Sequence, residues 1–396
     1  MLPIALATVA SGLGFYVPVS ALFLLSRGQS LSDVFIFETI LGACILVAEV
    51  PSGIIADRID RKWVIIAGFG FNAVAETLFA FAQSHLSFSV SFALSGMGIA
   101  ILTGALDAYV YDALGAAAEN RSVGVWGHLS SLELVAGVIA SACGGLLAAI
   151  DIAWPAIATA VAASIGALAT GLLPAQPMGT SSPTGESESS LQQLRQGVVL
   201  LFSTPILLHV VAASGACFVL FNAVFTLNQP LFAASGVPVA TWGFIVAGAQ
   251  LTAAFYNHWA GWIEASIGRK RALLLAMACG AAGFGLMAMP HALCGVGGFF
   301  LVVIGMHARG PITLAVANQV IPKVRRATVL NIASSFGSLV GIAVNPIIGA
   351  AADVSAPLAS AGIAAVLLGV AVSWIPVVNR YLGDPQRPVD RNDSEG

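Results

Sequence analysis

The sequence predicts an all-α membrane protein of twelve transmembrane helices in two pseudo-symmetric six-helix bundles, and three observations predict it. Hydrophobic residues make up 58% of the chain and charged residues only 9%, with a mean hydropathy of +0.92, far from the composition of a soluble globular domain. Apolar runs long enough to cross about 30 Å of hydrocarbon recur along the whole chain, separated by short polar turns. The second half also repeats landmarks of the first at one offset: Gly28 with Gly236, Gly53 with Gly261, Arg61 with Arg269 and Lys62 with Lys270, each 208 residues apart. A spacing held constant across a helix and two loops points to a duplicated unit, with any ligand site expected between the two copies.

In chain order, the first run covers residues 2–25 and contains Tyr16 and Pro18. It has neither a charged leader nor a small-residue cleavage site, so a retained helix rather than a signal peptide is expected. The runs at 31–55, 63–83, 88–114, 124–150 and 154–173 complete an N-terminal bundle, 1–173. From Pro174 the chain turns rich in Pro, Ser, Thr and Gly, with Glu186 and Glu188, and reads as a cytoplasmic linker. Leu191, Leu194, Val198 and Leu201 then recur at helical spacing, an amphipathic stretch that closes the linker, 174–203. The runs at 205–227, 239–263, 272–289, 294–316, 327–352 and 358–378 form the second bundle, 204–380, and the polar tail 381–396 is expected to be disordered.

Charge sets the orientation. Every Lys and Arg except Arg27 and Arg309 falls on one side of this map, so that side and both termini are expected in the cytoplasm. A net charge of −3 with dispersed cations excludes a nucleic-acid surface. The five cysteines show no C-x-x-C spacing, so free buried thiols are expected and no metal site. Neither G-x-S-x-G, H-E-x-x-H nor a P-loop occurs, which argues against an enzyme, against ATP drive and against a cofactor.

The most charged turn follows the second run, where Asp57, Arg58, Asp60, Arg61 and Lys62 fall within six residues after Gly53. This pattern, with its Glu-Val-Pro lead-in at Glu49 to Pro51, resembles the loop between helices two and three of major facilitator superfamily (MFS) transporters, of the bacterial twelve-helix type. Asp60 stands where that family most often has Gly, and Asp tolerates left-handed backbone well enough for the same turn. The resemblance implies a gating motif of Gly53, Asp57, Arg58, Arg61 and Lys62. Asp112 at the end of helix four would pair with Arg61 and Asp57 would face helix eleven, the three forming a latch that closes the two halves on the cytoplasmic side, and Gly53 would permit close helix approach. In the second copy, Gly261, Arg269 and Lys270 are retained while Ala265 replaces the Asp, so the cations are kept without the same bonding network. Two further family features are absent: the Arg of helix four and the Gly-Pro of helix five, where Gly137, Ser141, Cys143, Gly144 and Gly145 keep only small residues.

Ionisable groups forced into hydrocarbon are expensive and mark function by default. Glu38, Glu76, Asp107 and Glu133 lie within the runs of the first half and are the candidates for proton coupling. The second half has no acid in a run but carries His307 and Arg309, with Arg309 expected across the cavity from the acids. Tyr16, Tyr111, Asn222, Asn228, Gln250 and Asn345 complete the candidates for the substrate pathway, each with an interhelical hydrogen bond as its ordinary alternative. The expected function is secondary active transport of a small organic solute by alternating access, as a monomer in the bacterial cytoplasmic membrane. Proton-coupled export of a drug or metabolite is the leading form; an uptake symporter or facilitator, or a non-transporting sensor or scaffold, are the alternatives.

Overall fold

The computed structural model describes residues 2–114, 118–174, 199, 201–320 and 326–381, and its described residues contain twelve helices long and apolar enough to cross a membrane. Span 1 runs over Leu2–Gly12 and Ser20–Ser26, and spans 2 to 6 are Leu31–Arg58, Arg61–Phe81, His85–Leu114, Ala118–Ile150 and Trp154–Gly171. Span 7 is Pro205–Asn222 followed by Val224–Ala234. Spans 8 to 12 are Val239–Ile267, Arg269–Met287, Ala292–Val320, Arg326–Val354 and Ala356–Tyr381. The linker proper and the polar tail lie outside the described residues.

The duplication appears at the level of single hydrogen bonds. Gly28 and Gly236 end spans 1 and 7 in left-handed backbone, φ 79° and 73°, which glycine adopts without a Cβ clash. The bond from Gln29 N–H to Leu24 carbonyl, 3.1 Å, recurs as Val237 N–H to Phe232 carbonyl, 3.0 Å, the wrap that closes a helix C-terminus. The packing pairs repeat too. Spans 2 with 4, 3 with 4, 3 with 6 and 1 with 5 have counterparts in 8 with 10, 9 with 10, 9 with 12 and 7 with 11.

Three expectations are corrected here. Span 1 is not continuous: it stops at Gly12 and resumes through a short 3-10 turn, Val17–Val19, around Pro18. Span 7 breaks at Ala223, which is Phe15 plus the repeat offset, and then continues to Ala234, beyond the expected end at 227. The second correction concerns Asp60. Its backbone is not left-handed, with φ −52°; its carboxylate instead caps span 3 by accepting the Lys62 N–H at 3.0 Å. The Asp side chain thus does by capping what Gly268, with φ 81° at the equivalent position, does by conformation. Of the five free cysteines, only Cys217 is buried and Cys143 is exposed, so burial of all five does not hold.

The bundles meet along span 2 with 11, span 5 with 8, and the short outer pieces of spans 1 and 7. Between spans 5 and 8 the backbones nearly touch. A Cβ on Gly145 would stand 2.7 Å from the Gly243 nitrogen, and one on Gly243 would overlap the Ser141 carbonyl oxygen. Gly349 similarly seats span 11 on span 2, where a Cβ would come 2.9 Å from Ser32 Cα. In hydrocarbon such close approach supplies the packing energy that water exclusion supplies elsewhere. Gly243→Ala is therefore expected to cost about 1–3 kcal/mol, because the atom it strikes is backbone and cannot swing aside. Gly297→Ala, where no described atom lies within 4 Å, is expected to be neutral. Thermal unfolding of both variants in detergent checks the pair, and equal midpoints would remove this contact from the interface.

Candidate functional site

Span 2 of the first bundle and spans 7 and 11 of the second enclose a cavity of ≈ 360 Å³, within the range of about 300–1,000 Å³ usual for small-molecule sites. Helical periodicity brings its wall together. Phe35, Glu38 and Gly42 form one stripe of span 2, and Phe218, Asn222 and Thr226 form one of span 7. Ser338, Gly341 and Asn345 supply span 11. Aromatic rings, amides and hydroxyls thus surround Glu38, the one ionisable side chain on that wall among the described residues. Asn222 donates to its own Phe218 carbonyl at 2.7 Å.

On the side away from the charged loop the two bundles are tied together by hydrogen bonds. Gln229, fully buried on span 7, accepts from Leu22 N–H at 2.9 Å and donates to Val17 carbonyl and Ser20 Oγ at 3.3 Å each, tying the outer piece of span 1 to the other bundle. Asp353 at the end of span 11 accepts the Leu31 N–H at 2.8 Å, capping span 2 from across the interface. Gln250 donates to Ser141 at 3.3 Å between spans 8 and 5, the interhelical role rather than a pathway one.

The other candidates fall in separate places. Glu76 is buried on span 3, and Tyr16 stands at the break of span 1 with its ring 5.5 Å from that of Phe79, one turn along span 3 from Glu76. Glu133 is exposed on span 5, 3.5 Å from Ser11 Oγ. The side chain of Asp107 lies outside the described set, although its backbone is helical in span 4. Tyr111 is exposed, His307 is half-buried on span 10, and Asn228 is buried with its Oδ1 unbonded. Arg309 does not face the acids across the cavity as expected. Span 10 packs on spans 7, 8 and 9 and keeps Arg309 buried against the Phe221 ring, 5.7 Å from its centroid and off the cavity wall.

At the charged loop, Arg61 forms an ion pair with Asp112 and donates to Ala108 carbonyl at 3.2 Å. Both partners lie on span 4, so this pair fastens spans 3 and 4 within one bundle rather than bridging the two. Lys62 donates to Leu173 carbonyl at 2.8 Å, and its repeat mate Lys270 donates to Asn379 at 2.5 Å, each tying the start of one span to the end of the bundle's last. Arg269 pairs with Glu264 at 3.4 Å, the altered network expected of the second copy. Arg58 is exposed and the Asp57 side chain lies outside the described set. No described atom comes within 4 Å of a Cβ built on Gly53 or Gly261, so the close approach expected at Gly53 is not made in this conformation.

Sequence reasoning found Glu38, Asn222 and Asn345 on the cavity wall but missed Phe218, Thr226 and Ser338. Their signal was available, since each lies four or seven residues from a flagged amide on the same helix face. Gln229 was missed because its partners are backbone groups exposed by a helix break that hydropathy does not register.

Comparison with known proteins agrees with this architecture. The structure superposes on the nucleoside transporter NupG with a TM-score of 0.80 at 13% identity, covering 95% of this chain and 99% of that one. It superposes on a bacterial homolog of the human lysosomal transporter Spinster, in an inward-facing and unoccupied conformation, with a TM-score of 0.74 at 16% identity, covering 98% of each. At these identities the likeness is one of fold. An uncharacterized MFS-type transporter of Bacillus subtilis (strain 168), YxaM, is 21% identical over 243 residues, 61% of this chain; the chain spans 60% of that relative's length. The family profile of the Major Facilitator Superfamily matches residues 4–293, and with twelve membrane-spanning helices among the described residues the chain belongs to that superfamily as a multi-pass membrane protein.

Proposed function

We propose that the chain is a proton-coupled exporter of small organic cations in the bacterial cytoplasmic membrane, with its charged loops and both termini in the cytoplasm. The observation that carries this reading is Glu38, alone among the described wall residues in being ionisable, set between Phe35 and the aromatic and amide groups of spans 7 and 11. A carboxylate beside aromatic faces suits an ammonium or other organic cation. The same carboxylate also takes a proton, and a group that holds one or the other but not both exchanges them one for one: the cation leaves as the proton arrives. The displacement of Arg309 from the wall supports a cation over an anion. With the charged side in the cytoplasm, the cross-bundle ties of Gln229 and Asp353 close the outer end, and the cavity faces inward to load cargo.

Proteoliposomes loaded with the organic cation ethidium test the reading. Wild type is expected to extrude it faster under an imposed pH gradient, and Glu38→Gln to lose that acceleration by about tenfold or more while keeping slow exchange, since an amide cannot carry the proton. Equal flux with and without the gradient in wild type would make the protein a facilitator, and gradient sensitivity retained in Glu38→Gln would move the coupling site elsewhere.

The loop makes a separate prediction. The Asp112 side chain is 40% exposed, so its pair with Arg61 is worth only about 0.2–1 kcal/mol to stability, and charge reversal is expected to leave the fold intact. Arg61→Asp should reduce flux severely with cation binding within a few fold of wild type, and Arg61→Asp with Asp112→Arg should recover part of the flux. Binding lost in step with flux, measured by ethidium fluorescence, would show that the pair does not act through the conformational step.

A further inference from the structure

The wall of the cavity resolves into two levels. Spans 2 and 11 run antiparallel, and a Cβ on Gly349 would stand 2.9 Å from Ser32 Cα and 3.0 Å from Phe35 Cβ, which fixes their register. Equal helical rise then brings Glu38 level with Asn345 about one turn nearer the charged loops, and Gly42 level with Gly341 about one turn beyond that. Spans 7 and 11 run parallel, with a Cβ on Gly215 3.2 Å from Gly337 Cα and one on Gly341 3.5 Å from Val219 Cγ2. The same rise puts Asn222 at the level of Glu38 and Asn345, and Phe218 at the level of Gly42 and Gly341.

The two levels differ in chemistry. The first holds one carboxylate and two amides, drawn from three spans of both bundles. The second, about 6 Å away along the helix axes, holds two glycines and a phenylalanine. A Cβ built on Gly42 meets no atom within 4 Å, so the space beside this glycine belongs to the cavity. Phe218 is 53% exposed on the wall, whereas Phe35, on the other side of the polar level, is 2% exposed. The aromatic surface with nothing covering it therefore lies on the side of Glu38 that faces the charged loops, at the level where two facing helices carry no side chain.

We infer that the cavity selects its cargo by shape as well as charge: the cationic head stands at the level of Glu38, Asn222 and Asn345, and a flat aromatic group about one helical turn from it fills the slot between Gly42 and Gly341, against Phe218. Glycine at both positions leaves backbone as the slot's sides, and any larger residue at either one would take the room of the ring. Phe218 offers the face or edge on which such a ring packs. Gly42 belongs to the first bundle and Gly341 and Phe218 to the second, so cargo in the slot touches both. Gly42 is on this account a specificity-determining residue that forms no bond of its own. The charge of the cargo rests on the cation reading above; the fit of its ring at Gly42 does not.

Isothermal titration calorimetry of the full protein in detergent compares phenethyltrimethylammonium, whose ring stands about one helical turn from its charge, with tetramethylammonium, which presents the charge alone. Wild type is expected to bind the aromatic cation about tenfold or more tightly than the compact one. Gly42→Leu should weaken the aromatic cation by about tenfold or more and leave the compact one within about twofold. Gly42→Ala, which adds one carbon in open space and keeps the helix, should weaken the aromatic cation by a smaller factor, so the test survives if the leucine variant does not fold. Glu38→Gln should weaken both cations together. Equal affinity of wild type for the two cations, or loss of both in parallel in the Gly42 variants, would overturn the slot, as would undiminished binding of the aromatic cation in those variants. Unchanged affinity for both cations in Glu38→Gln, with the discrimination at Gly42 intact, would end the cation reading at Glu38 and leave the slot standing.

Discussion

The structure depends on how a broken helix is satisfied inside a membrane. Hydrocarbon offers no water to stray N–H and C=O groups, so a span that stops and restarts must find partners among its neighbours. Span 1 does so twice. Phe15 N–H finds Thr159 Oγ1 of span 6 at 3.0 Å, and Leu22 N–H and Val17 carbonyl find the two ends of the Gln229 amide of span 7. The first bond keeps the break inside its own bundle; the second makes it part of the interface. Discontinuous helices place polar groups at mid-membrane in transporters generally, and here the break places Tyr16 with its ring 5.5 Å from that of Phe79 on span 3.

The two bundles share a scaffold without sharing chemistry. The repeat offset sets Tyr16 against Val224, Glu38 against Val246, Glu76 against Phe284 and Asp112 against Val320. Glu38, Glu76 and Asp112 therefore each meet an apolar residue in the second bundle, while Gln229 of the second meets Ala21 in the first. The caps at Gly28 and Gly236 and the anchors of Lys62 and Lys270 survive on both sides because they serve helix ends, which both copies need. Glu38, Glu76 and Asp112 have no acidic counterpart in the second bundle, whose span-10 ionisable groups are His307 and Arg309.

What the sequence made legible follows from this division. The number of spans, the two bundles and the repeat could be read because hydropathy and loop glycines register along the chain, independent of how a helix is rotated. Rotation was harder. A membrane helix is apolar on nearly every face, so periodicity points weakly to its buried side, and the polar residue is the main marker. That marker worked for Glu38, Asn222 and Asn345, which lie on the wall, and misled for Arg309, whose guanidinium is accommodated over the Phe221 ring. Asp60 shows another limit: residue preference suggested a left-handed turn, while the structure used the same side chain as a cap. The break in span 1 was concealed too, because the apolar run continues across it.

The distribution of ties bears on how the molecule changes state. At the charged end the bonds of Arg61, Lys62, Arg269 and Lys270 stay within one bundle, whereas at the other end Gln229, Asp353 and the Gly145–Gly243 contact join the two. Opening the closed end must therefore separate two backbones packed too tightly to deform and release the amide that satisfies span 1. The Leu22 N–H and Val17 carbonyl then require new partners, and water entering the opened end is the available one.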